Sequence, residues 1–197
     1  MGKKIEKIKQ QVIECTKCEL SKTRTNSVAG KGNFKSDVIF VGEAPGKNED
    51  LKGEPFIGIA GKKLSIALES AGITREEVYI TNIVKCRPPN NRVPTSIERD
   101  TCQEYLKKEI EIIKPKIICI LGNTAFGSLL DGKEITKFRG KIVSKDNQLY
   151  FLTVHPAATI YNQKLISVLE KDIKKLFMMI KELNDNKKIK IDIEYTS

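Results

Sequence analysis

The sequence, which is 197 residues long, lacks any long apolar segment. No stretch approaches the roughly 20 apolar residues that a helix needs to cross a bilayer, and the N-terminal segment MGKKIEKIKQQ lacks the apolar core of a signal peptide. These absences argue against a membrane protein. We therefore expect a cytoplasmic protein, and in that reducing compartment the five cysteines favour metal ligation or a catalytic thiol over disulfides.

The sequence also lacks internal repeats, low-complexity tracts and an obvious linker. We expect one domain over residues 1–197. A domain of this size can bury about 70 % of its unfolded surface and does not need disulfides or a metal for its stability. Only residues 184–197 (NDNKKIKIDIEYTS) have the composition of a polar or edge-strand tail. Because a domain of this size is stable without such cross-links, a cluster of cysteines in it must have a role other than stabilising a small core.

Acidic residues are in the minority. The chain carries 35 Lys and Arg residues against 25 Asp and Glu residues, which gives a net charge of +10. A surplus of this size favours a polyanionic partner such as nucleic acid. A merely soluble basic surface explains the charge equally well.

Four short apolar runs, rich in β-branched and aromatic residues, have the length of buried strands. They span residues 38–41, 79–81, 117–121 and 150–154. Helical patterns cover residues 60–71 and 164–183, and capping boxes begin at Thr74 and Thr95, the second opening a long helix that ends before Pro115. Nearly continuous apolar strands that alternate with helices predict an α/β fold with a parallel sheet covered on both faces.

The residues at the carboxyl ends of these strands are candidate site residues, because open α/β sheets bind their ligands there. The first run leads into GEAPG (42–46), the second ends on Asn82, the third leads into Gly122, and the fourth ends on His155, the only histidine in the chain. An asparagine or a histidine at a strand end is ordinarily a turn residue or a structural residue. Their shared position at one sheet edge favours a functional site instead.

Four cysteines form a constellation outside the apolar runs. Cys15 and Cys18 make a C-x2-C pair in a polar loop, Cys86 follows the second strand, and Cys102 lies on the next helix. Four thiolates from three segments can close a tetrahedral zinc site or a four-iron cluster, and their spacing favours neither metal. An unmetallated set of core cysteines is the alternative, and Cys119, inside the run IICIL, is predicted to be such a core residue.

Five motifs now stand in order: GEAPG (42–46), GEPFIGIAG (53–61), TNIVKCRPPNNRVP (81–94), RG (139–140) and HPA (155–157). With the cysteine spacing, they make residues 8–180 resemble the iron-sulfur uracil-DNA glycosylases, the fourth family of that superfamily. The resemblance implies a three-layer αβα sandwich around a four-stranded parallel sheet and removal of uracil from deaminated DNA. It also implies a structural [4Fe-4S] cluster, held by Cys15, Cys18, Cys86 and Cys102.

The resemblance assigns three residues to a flipped uracil. Phe56 is expected to stack against the extruded base, and a loop phenylalanine packed into the core is the alternative. Asn82 is expected to accept from uracil N3–H and donate to O4, and discrimination against cytosine then requires neighbouring contacts that hold its amide in one orientation. His155 is expected to donate to O2, as a neutral imidazole, while negative charge develops there.

The first motif is expected to complete the base pocket through Gly42, Glu43 and Ala44, whose glycine-rich turn lets backbone N–H groups approach a base or a phosphate. In the best-known uracil glycosylases, an aspartate that assists the water stands at the position of Ala44. Glu43 is therefore a candidate to position the water or hold the loop. Glu49 matches the family position thought to crowd the C5 atom of the base and exclude thymine, and a solvated acid is the alternative.

The segment after HPA departs from many bacterial relatives, which continue with Tyr-Leu-Leu-Arg. This chain has Ala158, Thr159, Ile160 and Tyr161 instead. Ile160 is a candidate to fill the gap left by the flipped base, and Tyr161 is a candidate to stack or to contact phosphate.

The sequence therefore predicts a monofunctional uracil-DNA glycosylase that acts as a monomer on double- or single-stranded DNA and leaves an abasic site. We recognise no lysine nucleophile for a lyase step and no docking motif for a sliding clamp or a polymerase. Two alternatives stay open. One is a non-enzymatic nucleic-acid-binding module braced by a metal site, and the other is a small electron carrier whose cluster is the function.

Overall fold

The computed structural model describes residues 2–195. Seven β-strands form one mixed sheet: β1 (Lys31–Gly32), β2 (Val38–Gly42), β3 (Tyr79–Asn82), β4 (Ile117–Leu121), β5 (Ile142–Lys145), β6 (Gln148–Thr153) and β7 (Ile193–Tyr195). The α-helices are α1 (Gly2–Ile13), α2 (Leu20–Thr23), α3 (Lys47–Lys52), α4 (Ile59–Ser70), α5 (Ser96–Ile113), α6 (Asn123–Leu130), α7 (Ala158–Tyr161) and α8 (Lys164–Asn184). Within residues 2–195, no helix is both long and apolar enough to cross a membrane.

The sheet has the strand order β1-β3-β2-β4-β6-β5-β7. Its four central strands, β3, β2, β4 and β6, are mutually parallel and confirm the four predicted strands. Their register aligns Ile39 with Tyr79 on one side and with Ile118 on the other. Every residue of β2, β3 and β4 is buried, which explains why their sequences are nearly continuous apolar runs.

Three further strands extend the predicted sheet at its two edges. β1 is antiparallel to β3, β5 is antiparallel to β6, and β7 is parallel to β5. Asp146 and Asn147 connect β5 to β6 with φ values of 51° and 61°, the left-handed conformation that a two-residue hairpin turn requires. Residues 193–195, within the segment expected to be a polar or edge-strand tail, lie in β7 at the sheet edge.

Helices cover both faces of the sheet, so the predicted αβα layering is confirmed. Alternate side chains of the central strands enter two separate apolar clusters. On one face the cluster includes residues of α1, α5 and α6, and on the other face it includes residues of α4 and α8. Cys119 is fully buried in the second cluster, which confirms it as a core residue, and burial raises the pKa of its thiol.

The capping boxes form as predicted, but they begin different elements. Thr95 Oγ1 accepts from Glu98 N–H (3.2 Å) and Glu98 Oε2 accepts from Thr95 N–H (2.8 Å) at the start of α5. The box at Thr74 caps a single 3₁₀ turn, Arg75–Glu77, that leads directly into β3. The cap at Thr74 thus precedes β3, which carries Asn82, and the cap at Thr95 begins α5, which carries Cys102.

Candidate active site and cysteine cavity

An open cleft of about 460 Å³ lies at the carboxyl edge of the central strands. It is lined by Glu43, Ala44, Pro45, Gly46, Glu49, Phe56, Ala60, Asn82, Pro88, Asn91, Arg92, His155, Ala157 and Tyr161. The structure thus brings together nearly all of the residues predicted for the base pocket. Gly42 lies directly behind them, since a Cβ atom there would be 2.4 Å from Phe56 Cζ and 2.6 Å from Asn82 Oδ1.

His155 follows β6 and presents one nitrogen without a partner. Its Nδ1 accepts a hydrogen bond from the backbone N–H of Ala157 (3.2 Å), so the proton of the neutral ring is on Nε2. Nε2 is buried and has no hydrogen-bond partner among the described residues. Burial lowers the pKa of His155 to about 4, although the negative charge of Glu49 opposes this shift. The imidazole is therefore a neutral N–H donor at pH 7.

Gly122 allows His155 to approach the end of β4. Its φ of 87° lies in the left-handed region, and a Cβ atom there would be 2.8 Å from His155 Cβ. The backbone N–H of Gly122 also donates to Thr153 O (3.1 Å), which joins the ends of β4 and β6. The glycine predicted at this strand end therefore makes room for the histidine rather than contacting a ligand itself.

Asn82, the last residue of β3, presents an acceptor without a donor. The residue is 1 % exposed, and its Oδ1 is buried without a hydrogen-bond partner among the described residues. No hydrogen bond to Oδ1 therefore holds the amide in the orientation that discrimination against cytosine requires. The main chain of Asn82 is held instead, because its backbone O accepts from Lys85 Nζ (3.0 Å).

Phe56 lies beside these two residues in a strained loop, where it lines the cleft and is also buried in the second apolar cluster. Its ring centroid is 5.8 Å from that of His155, with the planes tilted by 36°. Its φ is 52°, a left-handed value that costs a non-glycine residue on the order of 1–3 kcal/mol. Arg75 holds the loop by donating to Phe56 O (2.7 Å) and to Pro55 O. A Cβ atom at Gly61 would lie 1.7 Å from Phe56 O, so this glycine is also required.

Glu49 anchors the same loop from inside the cleft. Its Oε1 accepts hydrogen bonds from Ile57 N–H (3.0 Å) and Gly58 N–H (2.7 Å). The side chain is buried, so Glu49 is not the solvated acid that its sequence context allowed. One carboxylate oxygen is thus committed to the Phe56 loop, and the predicted contact with C5 of a base stays a prediction.

Glu43 points to the start of α6. Its Oε2 accepts a hydrogen bond from Thr124 Oγ1. Glu43 and Glu49 are the carboxylates that line the cleft. Each of the two carboxylates thus has one oxygen in a hydrogen bond, Glu49 to the Phe56 loop and Glu43 to Thr124.

The predicted wedge residues lie on α7 at the rim of the cleft. Tyr161 lines the cleft and is 91 % exposed, whereas Ile160 is 41 % exposed and does not line it. The opposite rim is formed by Pro88, Asn91 and Arg92, which sequence reasoning did not single out although they lie within the motif TNIVKCRPPNNRVP. Arg92 is held in place by a two-point ion pair with Glu98.

The four predicted cysteine ligands line one enclosed cavity. Cys15, Cys18, Cys86 and Cys102 line it, and none of them forms a disulfide. The other lining residues are Val12, Leu20, Val84 and Tyr105, together with the polar residues Ser21, Lys85, Glu98 and Thr101. Burial raises the pKa of Cys102 to about 12 and also raises that of Cys86, where Arg24 opposes the shift. Such buried thiols are chemically inert unless a cation stabilises their thiolates.

Two N–H donors already point at sulfur atoms of this cavity. Arg24 Nη1 donates to Cys86 Sγ (3.0 Å), and the backbone N–H of Lys85 donates to Cys102 Sγ (3.2 Å). The other guanidinium nitrogen, Arg24 Nη2, binds the backbone oxygens of Ile13 and Cys15 (both 2.9 Å). Hydrogen bonds of this kind stabilise metal-bound thiolates. Arg24 was not predicted from the sequence, because no motif around it indicates a contact with Cys86.

Four thiols around one cavity are a donor set that either a zinc ion or an iron-sulfur cluster can use. Among the described residues, no group of three or more His, Cys, Asp or Glu side chains is arranged to hold one metal ion. A single zinc ion needs all four sulfur atoms about 2.3 Å from one centre. An iron-sulfur cluster is likewise bound by four cysteine thiolates, and the cavity that the four cysteines line has a volume of about 10 Å³.

Comparisons with known proteins agree with this geometry. The family model described as the uracil DNA glycosylase superfamily matches residues 29–179. The type-4 uracil-DNA glycosylase of Sulfurisphaera tokodaii is 47 % identical over 182 residues, which cover 87 % of this chain and 83 % of that protein. The type-4 enzymes of Archaeoglobus fulgidus (44 % identity, 87 % and 91 % coverage) and Thermotoga maritima (43 % identity, 90 % and 95 % coverage) are similarly close.

Proposed function

The chain belongs to the uracil DNA glycosylase superfamily, and from this premise we propose that it removes uracil from DNA and leaves an abasic site. One observation carries the proposal. Two buried polar atoms have no hydrogen-bond partner within residues 2–195, and both belong to residues of the same cleft: the acceptor Asn82 Oδ1 and the donor Nε2–H of His155. Buried polar groups are nearly always hydrogen-bonded, so such a pair indicates a ligand with a matching donor and acceptor.

Uracil supplies that match. Its N3–H can donate to Asn82 Oδ1, and its O2 can accept from Nε2–H of His155. A base stacked in a duplex cannot reach the cleft, so the nucleotide must first be extruded, at a cost of about a few kcal/mol. The Phe56 ring then offers the apolar face against which the extruded base stacks.

The chemical step is hydrolysis of the N-glycosidic bond. As the bond from N1 to C1′ breaks, the electron pair goes to the uracil ring and the sugar gains oxocarbenium character. Water then adds to C1′ and releases a proton to solvent, and the uracil anion takes up a proton from solvent. The neutral Nε2–H of His155 stabilises the negative charge that develops on O2, and the low pKa of the ring favours this donor role over proton transfer. Glu43, oriented by Thr124, positions the attacking water.

We further propose that Cys15, Cys18, Cys86 and Cys102 hold a [4Fe-4S] cluster whose role is structural. The cluster would join the N-terminal segment to β3 and α5, and its sulfur ligands would keep the N–H donors of Arg24 and Lys85. The cluster would take no part in cleaving the glycosidic bond, because the atoms proposed to act on the base belong to Asn82, His155 and Glu43.

The basic surface is proposed to bind uracil-containing DNA, as the net charge of +10 supports. DNA repair requires access to chromosomal DNA, which agrees with the expected cytoplasmic location. Nothing among the described residues requires a second copy of the chain to complete the cleft, so we propose a monomer.

The test is base release from a labelled oligonucleotide that contains one uracil, followed by alkaline cleavage of the abasic site. Matched oligonucleotides with cytosine or thymine in place of uracil serve as controls. We expect cleavage at uracil alone. Protein with an intact metal site that binds DNA but releases no base would contradict the proposal and favour the non-enzymatic binding module.

A further inference from the structure

A buried ion pair lies between the cleft and the cysteine cavity. Lys85 Nζ donates to Glu109 Oε2 over 2.7 Å, and each side chain is only 1 % exposed. Lys85 is one of the largest fully buried side chains in the protein. Burying two charges is expensive, and apolar residues of similar volume often stabilise a protein as well as such a pair does. The hydrogen bonds of the pair are therefore a better guide to its role than its contribution to stability is.

The Lys85 ammonium uses all three of its donors on fixed partners. Besides Glu109, it donates to Thr81 Oγ1 (2.5 Å) and to the backbone O of Asn82 (3.0 Å). Three hydrogen bonds in three directions fix the position of the ammonium, because Lys has no further donor and no acceptor. The end of β3, at which Asn82 enters the cleft, is therefore bound by this cation as well as by its pairing with Gly42 of β2.

Both carboxylate oxygens of Glu109 also accept hydrogen bonds from fixed donors. Its Oε2 also accepts from Thr81 Oγ1 (2.9 Å), and its Oε1 accepts from Gly30 N–H (3.1 Å) and Tyr79 O–H (3.2 Å). A fully satisfied buried network of this kind is rigid and tolerates little rearrangement. Glu109 thus provides an immobile anchor for Lys85 on the face of α5 that packs against the sheet.

The main chain of Lys85 reaches the cysteine cavity. Its N–H donates to Cys102 Sγ (3.2 Å), and its O accepts from Val28 N–H (2.7 Å). Cys102 and Glu109 lie about two turns apart on the same face of α5. A single helix therefore holds both ends of Lys85, the main chain through Cys102 and the ammonium through Glu109.

We propose that Lys85, locked by Glu109, is a positioning residue that sets the place of Asn82 in the base pocket. The inference rests on the proposed function and deepens it. Asn82 Oδ1 has no hydrogen-bond donor among the described residues, so the amide is placed through its main chain, and Lys85 is the side chain that holds that main chain. Neither Lys85 nor Glu109 lines the cleft, so neither is a catalytic residue.

The test distinguishes a role of Lys85 in positioning Asn82 from a role in the stability of the fold. Lys85→Met alone leaves Glu109 as a buried unpaired charge and is expected to lower Tm strongly. The double variant Lys85→Met, Glu109→Gln removes both charges and is expected to recover most of that loss. Lys107→Met, the same substitution at an exposed position of α5, controls for the lost positive charge. Each variant is measured as holoprotein with known iron content.

We expect the double variant to keep its iron content and its affinity for undamaged DNA, while kcat for uracil release falls about 10²-fold. We also expect it to lose the preference for an oligonucleotide with uncleavable 2′-fluoro-deoxyuridine over the same oligonucleotide with deoxycytidine, whose base presents the opposite donor and acceptor to Asn82; this binding measurement requires no catalysis. The Lys107→Met control should keep both the rate and the preference.

A double variant that folds with wild-type kcat and the wild-type preference would assign Lys85 a purely structural role and overturn the inference. If this variant does not fold, Lys85→Gln with Glu109→Gln is used instead, because glutamine is too short to reach Asn82 O but stays polar. Failure of the wild-type protein to release uracil would contradict the proposed function itself, which is a distinct result.

Discussion

The backbone N–H of Ala157 donates to Nδ1 of His155, so the chain's only histidine is held as the tautomer that carries its proton on Nε2. Residues of the motif HPA therefore determine the chemistry of the ring by a local hydrogen bond. A proton added to Nδ1 would lose this acceptor and leave a buried cation, in agreement with the lowered pKa. The tautomer and the charge state of His155 thus follow from the same contact and the same burial.

The lowered pKa of His155 predicts an acid-sensitive stability. In the unfolded chain the imidazole binds a proton near its ordinary pKa of 6.5, whereas in the folded chain it does so only at about pH 4. Stability is therefore fully present above pH 6.5 and is lost as the pH falls towards 4, by roughly 3 kcal/mol. Unfolding by denaturant at several pH values measures this slope. His155→Gln should lack this component, and an equal slope in the variant would contradict the assigned pKa.

Removal of the cleft group of either Asn82 or His155 should slow base release by orders of magnitude while DNA binding persists. His155→Ala removes the donor to O2, and Asn82→Ala removes the group that reads the base, so we expect each to lower kcat by about 10²- to 10³-fold. Single-turnover cleavage rates and affinity for undamaged DNA measure the two properties separately. A wild-type rate in either variant would remove the role assigned to that residue.

The central sheet was predictable from the sequence because its strands are buried on both faces, so that β2 and β4 are continuous apolar runs. The edge strand β1 was not, because it has only two residues. β7 lies within residues 184–197, for which a polar or edge-strand tail was expected. The hairpin that joins β5 and β6 did leave a signal, Asp146 and Asn147, which went unused.

The candidate site also contains residues that could be predicted from the sequence and residues that could not. His155 and Asn82 could be predicted because strand ends in an α/β sheet meet at one edge. The groups that hold them could not be, since each reaches its partner across the fold. Arg75 binds the Phe56 loop and Thr124 binds Glu43, and no local pattern marks either residue. Contacts of this kind depend on tertiary packing, which the sequence does not display directly.

Gly42 should be essential for the base pocket. A methyl group at this position would lie 2.4 Å from Phe56 Cζ and 2.6 Å from Asn82 Oδ1, so Gly42→Ala must displace one of the two pocket residues. We expect a loss of uracil release of about 10²-fold. Gly127→Ala is the matched control, because its methyl group would meet only Gly132 O at 3.4 Å and alanine favours a helix by up to about 1 kcal/mol. An active Gly42→Ala variant would show that the pocket adapts.

Thr124 should matter through its contact with Glu43. Thr124→Val keeps the shape of the side chain but removes the hydroxyl that donates to Glu43 Oε2. Because a hydrogen bond to a charged group is worth about 1.5–3 kcal/mol, we expect the rate of base release to fall by tenfold or more. Thr124→Ser keeps the hydroxyl and should retain most of the activity. Equal rates in the two variants would show that this contact does not orient Glu43.

The cysteine cavity gives a prediction that requires no substrate. Cys18→Ala removes one of the four thiols, and we expect loss of iron and sulfide, release of the N-terminal segment from α5, and a lowered Tm. Cys119→Ala is the control, since this thiol is buried against the other face of the sheet. It should lower Tm modestly through lost packing but leave the metal content unchanged. Metal analysis and thermal unfolding of both variants distinguish the two cysteines. If Cys18→Ala kept its iron and its Tm, the four cysteines would be ordinary core residues, and the cavity would have to be explained without a cluster.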